Sequence, residues 1–185
     1  MKIVLLSIGV LVAGLFIGYV VWRYQTKSYS PENSVDFVDG NLRVSVFYNR
    51  PFKKGRVIFG GLVPYGQTWR TGANEATTFE STQDVIIDGK KLKKGKYSLW
   101  TVPNETSWEI VFNKTIPPWG IDVMNNSLAA RDPKGDVLSV VVPVVTSPKE
   151  IEQFTVTLEK SGDAMELILL WDKTVIAVPI SLSEQ

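Results

Sequence analysis

The sequence predicts an all-β domain, an antiparallel β-sandwich or partly open barrel, preceded by one transmembrane helix. Three observations carry this. An apolar run without a single charge occupies Ile3 to Trp22. After residue 30 the hydrophobic pattern switches to period two, and no later stretch keeps a 3.6-residue period over three turns. Short runs rich in β-branched and aromatic residues follow one another with turn signals, and no helices, between them.

The first element is the apolar run IVLLSIGVLVAGLFIGYVVW, in which Ser7 is the one clearly polar side chain. As a helix rising about 1.5 Å per residue it matches a hydrocarbon core of roughly 30 Å. A cleaved signal peptide carries a shorter apolar core, about 7–15 residues, and then a small-x-small site. Here Trp22, Arg23 and Tyr24 follow instead. Trp22, Tyr19 and Tyr24 suit the headgroup level, where aromatic rings with polar tips collect. Residues 1–24 therefore read as an uncleaved anchor, with the membrane contacted through residues 3–22. Lys2 on one side and Arg23 and Lys27 on the other leave the positive-inside count nearly tied.

Residues 25–34 (QTKSYSPENS) read as a polar tether, and 35–185 as the β domain. Strands are expected at Leu42–Tyr48, Thr78–Glu80, Tyr97–Val102, Trp108–Phe112, Val137–Val145, Phe154–Leu158, Met165–Trp171 and Val175–Leu182. Turns are expected at Asp39-Gly40, Asp88-Gly89, Ser161-Gly162-Asp163 and Asp172-Lys173. Two irregular stretches interrupt the pattern, Pro51–Ala76 and Thr115–Asp136, and a short helix is expected around Asn125–Arg131. A loop as long as the second is unusual inside a domain and often functional.

Composition narrows the chemistry. The 185 residues hold 20 Lys plus Arg against 19 Asp plus Glu, so no bulk field attracts nucleic acid, and none is expected as a partner. There is no Cys and no His. That removes disulfides, thiol nucleophiles, thiolate metal sites, the commonest general base and the Ser-His-Asp arrangement. No cofactor, metal or catalytic residue is expected. A carboxylate hydrolase built on Glu75, with Asp122 or Asp136 as its second acid, stands as one alternative.

The richest polar segment is Leu62–Thr78, LVPYGQTWRTGANEATT. Trp69, Arg70, Asn74 and Glu75 fall within seven residues of it, with Gly66 and Gly72 available for tight backbone turns. Arg presents a planar fork to a carboxylate, phosphate or diol, Asn donates and accepts, and Trp offers a flat apolar face. Such a set suits a small polar or anionic ligand. The plainer reading pairs Arg70 with Glu75 to brace the loop and sinks Trp69 into the core. Arg50, at the strand end Tyr48-Asn49-Arg50-Pro51, and Trp119, in the Pro-rich loop Pro117-Pro118-Trp119-Gly120, are further ligand candidates, against an exposed strand-end Arg and a Trp that plugs the sandwich. The five Lys from Lys90 to Lys96 read as solvated charge on a hairpin tip.

The string Phe59–Thr78, FGGLVPYGQTWRTGANEATT, resembles an uncharacterised bacterial family, domain of unknown function twenty-nine-eleven. Tyr48-Asn49-Arg50-Pro51, Lys54-Gly55-Arg56, Ile58-Phe59-Gly60, Gly95–Pro103 (GKYSLWTVP), Trp108–Lys114 and Trp119-Gly120 fit the same pattern, which covers about residues 35–182. The resemblance implies an exported β-sandwich domain of the cell envelope, on the periplasmic or extracellular side, and supplies no substrate or catalytic residue. The reading is thus a membrane-anchored binding module for a sugar or cell-wall fragment, with Arg50, Trp69, Arg70, Asn74, Glu75 and Trp119 as ligand residues. Its alternatives are a structural or protein-interaction domain of the envelope and the hydrolase above.

Overall fold

The apolar run and the residues after it form one helix, α1 (Lys2–Tyr29). The computed structural model describes residues 2–126, 128–162 and 164–182 of the chain. From Ile8 to Trp22 almost every side chain of α1 is exposed, and the helix is long and apolar enough to cross a membrane or serve as a signal sequence. It does not stop at Trp22. Residues 25–29 of the expected tether continue the helix, with Thr26 and Ser28 hydroxyls bonded back to the carbonyls of Arg23 and Gln25. Arg23 and Lys27, four residues apart on one face, both meet Glu75 of the β domain, and this tertiary pairing overrides the polar composition. Pro31 ends the helix by disfavouring helical backbone at the residue before it.

The first strand, β1 (Glu32–Asp39), begins inside the same expected tether. It pairs with β2 (Leu42–Asn49) from Glu32↔Asn49 to Asp39↔Leu42, and the turn falls at Gly40-Asn41, with Gly40 at φ +56°. Along β2 the alternation is as the sequence predicts, with Leu42, Val44, Val46 and Tyr48 buried. The other strands are β3 (Thr78–Ser81), β4 (Val85–Ile87), β5 (Lys90–Leu92), β6 (Gly95–Pro103), β7 (Ser107–Asn113), β8 (Ile121–Asp122), β9 (Leu128–Ala129), β10 (Asp136–Ser161) and β11 (Ala164–Leu182). Among the described residues, nine of the eleven strands make one antiparallel sheet in the order β1-β2-β3-β6-β7-β10-β11-β4-β5, which is not closed into a barrel.

The sheet bends through its two longest strands. The start of β10 pairs with β7, and its end pairs with β11 after register shifts between Thr146 and Thr155. The expected strand pairs Val137–Val145 with Phe154–Leu158, and Met165–Trp171 with Val175–Leu182, are therefore each one strand. Asp172-Lys173 is no hairpin turn. Asp172 takes φ +54° opposite the irregular stretch of β10 while β11 runs on. Asp88 (φ +45°) and Gly89 (φ +78°) do make a two-residue turn between β4 and β5, the type with both residues at positive φ. Ser161 pairs with Ala164 around Gly162; Asp163 lies outside the described residues, as do residues 183–185 of the expected domain.

Inward-facing side chains of β2, β6, β7, β10 and β11 share one core, among them Val44, Val46, Leu99, Ile110, Phe112, Val156, Leu167 and Val178. A second, smaller core lies on the other face of β6 and β7, where Trp100 and Val111 are fully buried with Ala76 against Ala129 and Ala130. The long loop 115–135 folds back to cover that face. Its middle is the β8–β9 arm, paired Ile121↔Ala129 and Asp122↔Leu128, where a short helix over 125–131 is expected; Ser127 of that span lies outside the described residues. Apolar Ala129 and Ala130 serve Trp100 better as an extended cover than as one turn of an isolated helix, which is marginal in water.

Candidate functional site

The irregular stretch Pro51–Ala76 closes one end of the bent sheet. Trp69 bridges to Thr101 of β6 through reciprocal backbone hydrogen bonds of 2.7 and 3.1 Å. Its ring joins Phe59, Trp108, Phe154 and Trp171, stacking on Trp171 at 5.8 Å and 19°. The indole N–H is taken by the Gly72 carbonyl at 3.1 Å. Trp69 is thus a wall of the core end, half-buried, with no free donor to offer.

The backbone then reverses under strain that one glycine and two polar residues absorb. Thr71 and Asn74 sit at φ +55° and +56°, and Gly72 at φ +147°. A Cβ on Gly72 would stand 2.8 Å from the Asn49 carbonyl oxygen, so the loop lies directly on the end of β2. This reversal turns Asn74 and Glu75 toward α1. The Asn74 amide donates to the Thr26 and Ser30 carbonyls at 3.3 and 3.4 Å, filling acceptors that a helix C-terminus leaves open. Glu75 accepts from Arg23 at 3.0 Å, from Lys27 at 2.8 Å and from the buried Asn49 amide at 3.0 Å. Burial alone would raise the Glu75 carboxyl. The hydrogen bonds from Lys27 and a backbone N–H, with the charges of Lys27 and Arg23, outweigh it and hold the group below its ordinary value.

Arg70 does not pair with Glu75. Its guanidinium is mostly buried, and burial lowers its pKa from the ordinary value. Nη1 is fully buried and has no hydrogen-bond partner among the described residues. The stem packs on Gly120, where a Cβ would come within 2.6 Å of Arg70 Cδ. Trp119, next along, neither plugs the sandwich nor faces the cavity. Its ring lies 5.6 Å from Trp22 of α1, with the Arg23 guanidinium 5.7 Å away. Arg50 donates to the Phe154 carbonyl at 3.3 Å and to Thr155 Oγ1 at 3.1 Å, a brace between β2 and β10.

A cavity of about 430 Å³ opens between the last turn of α1 and this loop. Trp69, Arg70 and Asn74 line it; Arg50, Glu75 and Trp119 do not. Sequence reasoning passed over other residues of its lining, Tyr29, Lys54, Arg56 and Trp171 among them. Lys54 and Arg56 stand in the Lys-Gly-Arg string that carries the family resemblance, which was the available signal. Lys54 Nζ sits 4.7 Å over the Tyr29 ring. Arg56 donates to the Lys53 and Phe52 carbonyls. Among the described residues the lining therefore holds three cations, four aromatic rings and no carboxylate.

A family profile described as protein of unknown function (DUF2911) matches residues 30–180. The chain belongs to the DUF2911 family. No curated protein and no solved structure matches it. The DUF2911 match starts where α1 ends, so both the Trp69–Glu75 loop and the cationic side of the cavity fall inside the family domain, while Arg23 and Lys27 do not.

Proposed function

We propose that the protein is a membrane-anchored, extracytoplasmic domain of the bacterial envelope that binds a small anionic ligand in the cavity beneath α1. The observation that carries this is Arg70: it lines a cavity that holds two further cations and, among the described residues, no carboxylate, and its mostly buried guanidinium keeps one nitrogen without a partner. A buried donor left unmade costs about 1–3 kcal/mol, more for a charged group, and a bound carboxylate or phosphate would supply the missing acceptor. Tyr29 and the half-buried Trp69 add flat faces of the kind that stack on sugar rings. The volume lies within the roughly 300–1,000 Å³ of small-molecule sites. A sugar acid or an acidic cell-wall fragment combines both features.

The second reading, a structural or protein-interaction domain, is favoured by Asn74 and Glu75, whose polar groups are already taken up in holding α1. A hydrolase centred on Glu75 fits poorly. A carboxyl held low by two cations is the reverse of a general acid, whose pKa is tuned upward toward the working pH.

The test uses the full chain in detergent micelles and its own tryptophans, since Trp69 and Trp171 line the cavity. Inorganic phosphate, glucuronic acid and N-acetylmuramic acid are titrated against intrinsic fluorescence. At least one should give a saturable change that Arg70→Met abolishes and Glu75→Gln preserves. A flat response to all three acids, or saturation unaltered in Arg70→Met, refutes the anionic-cavity reading.

A further inference from the structure

The β8–β9 arm carries a feature that the cavity does not use. Its tip exposes Val123 (70% exposed), Met124 (96%) and Leu128 (51%), and Ile116 (40%) precedes the arm beside Pro117 and Pro118. No residue from Val123 to Ala130 is charged. Single exposed apolar residues are ordinary, but a contiguous set on one projecting arm marks an interaction surface. The tip's backbone is also partly self-satisfied. The Met124 N–H donates to the Asp122 carboxylate at 3.0 Å, the Asn125 N–H to the Asp122 carbonyl at 3.2 Å, and the Leu128 N–H to the Asn125 carbonyl at 3.0 Å. An apolar medium demands such pairing, because there water does not serve as a partner.

The position of the arm says what covers it. Trp119, just before β8, packs on Trp22, and Tyr19 lies 6.1 Å from Trp22. Trp22 closes the apolar run, so these three rings sit at the level where aromatic side chains collect at a bilayer surface. Above that level α1 is continuous to Tyr29, seven further residues or about 10 Å. That short, stiff stalk is gripped by Asn74, Glu75 and Trp119, and it does not let the domain stand away from the membrane. We propose that the tip of the β8–β9 arm, with Val123, Met124 and Leu128, seats in the headgroup–acyl boundary of the bilayer beside α1, as a second, peripheral membrane contact that fixes the domain's tilt. The partner is the lipid surface. The inference rests on the membrane-anchor reading of α1 and does not involve the cavity.

The absence of Cys makes the test direct, since an introduced cysteine is the unique labelling site. Full chain in phosphatidylcholine–phosphatidylglycerol liposomes is labelled with an environment-sensitive dye at Met124→Cys, at Phe16→Cys in the helix and at Lys94→Cys on the Lys-rich hairpin. The expected result is quenching at 16 by deep doxyl lipids, at 124 by shallow ones, and at 94 by aqueous iodide alone. Lipid quenching at 16 with iodide quenching at 124 overturns this inference and leaves the anchor standing. Iodide quenching at 16 removes the anchor and this inference together. The dye is itself apolar, so Asn125→Cys is labelled in native and Val123→Asn, Met124→Asn backgrounds. Loss of lipid quenching in the second background assigns the seating to the native side chains, and its persistence there overturns the assignment.

Discussion

Glu75→Ala removes one carboxylate that three donors share, and its effect follows from what each donor is left with. Asn49 is fully buried and its Oδ1 already has no partner, so the mutation leaves the whole carboxamide unbonded. Stranding a buried amide costs about 1–3 kcal/mol. Arg23 and Lys27 fare better. Their side chains are 34% and 26% exposed, and Lys27 keeps Glu32. Their loss belongs nearer the roughly 0–1 kcal/mol of exposed pairs than the about 3–5 kcal/mol of breaking a buried one. The sum is about 1–4 kcal/mol, and for a domain of this size each kcal/mol lowers Tm by about 2–4 °C. Glu75→Gln keeps an acceptor for Asn49 and loses only the charge, so its fall should be roughly a third of that. The assay is thermal unfolding of the full chain in micelles, followed by near-UV circular dichroism, where the packed tryptophans report tertiary structure. If both variants melt with the wild type, Glu75 does not join α1 to the domain and the derivation is wrong.

Three further outcomes are expected. Because the folded pKa of Glu75 is depressed, its contribution is fully present above the unfolded value of about 4.3 and is lost as pH falls through the lower folded value. The Tm difference between wild type and Glu75→Gln should therefore shrink below about pH 4.3, and a difference constant down to pH 2 would contradict the assignment. Gly120→Ala forces a Cβ against Arg70 Cβ and Cδ and should destabilise by about 1–3 kcal/mol, as overpacking does. Gly72→Ala should exceed it, because φ is +147° and the obstacle is the Asn49 backbone; the same melts rank the two.

The strands legible in the sequence are those with at least one buried face. Leu42–Tyr48, Tyr97–Val102 and Trp108–Phe112 alternate or run apolar because a core lies against them. β1 escaped notice because its inward positions are only half-buried and Glu32, Asp36 and Asp39 give it the composition of a linker. β10 and β11 each looked like two strands because a polar interruption reads as a turn, whereas here it absorbs a register shift while the chain keeps its direction. In the loop, the residue types were legible and their partners were not. Nothing in the local pattern tells Glu75 to choose Arg23 and Lys27 over the neighbouring Arg70. That choice depends on where the backbone reverses at Thr71, Gly72 and Asn74, and on a helix the composition seemed to have ended.

Placing the family match on the structure divides the site into two parts with different origins. Lys54, Arg56, Trp69, Arg70 and Trp171 belong to the matched residues 30–180, whereas Thr26 and Tyr29 on the opposite side of the cavity belong to the helix that precedes the match. Asn74 and Glu75 are the hinge between them: family-domain residues whose hydrogen bonds end on the helix. The cationic lining thus comes from the domain itself, while the helix sets how far the cavity is covered. Loosening the Glu75 joint should then widen access to Arg70 without removing any of the three cations. This is why Glu75→Gln is the control that preserves binding in the fluorescence titration, and why Arg70→Met is the variant that tests the chemistry.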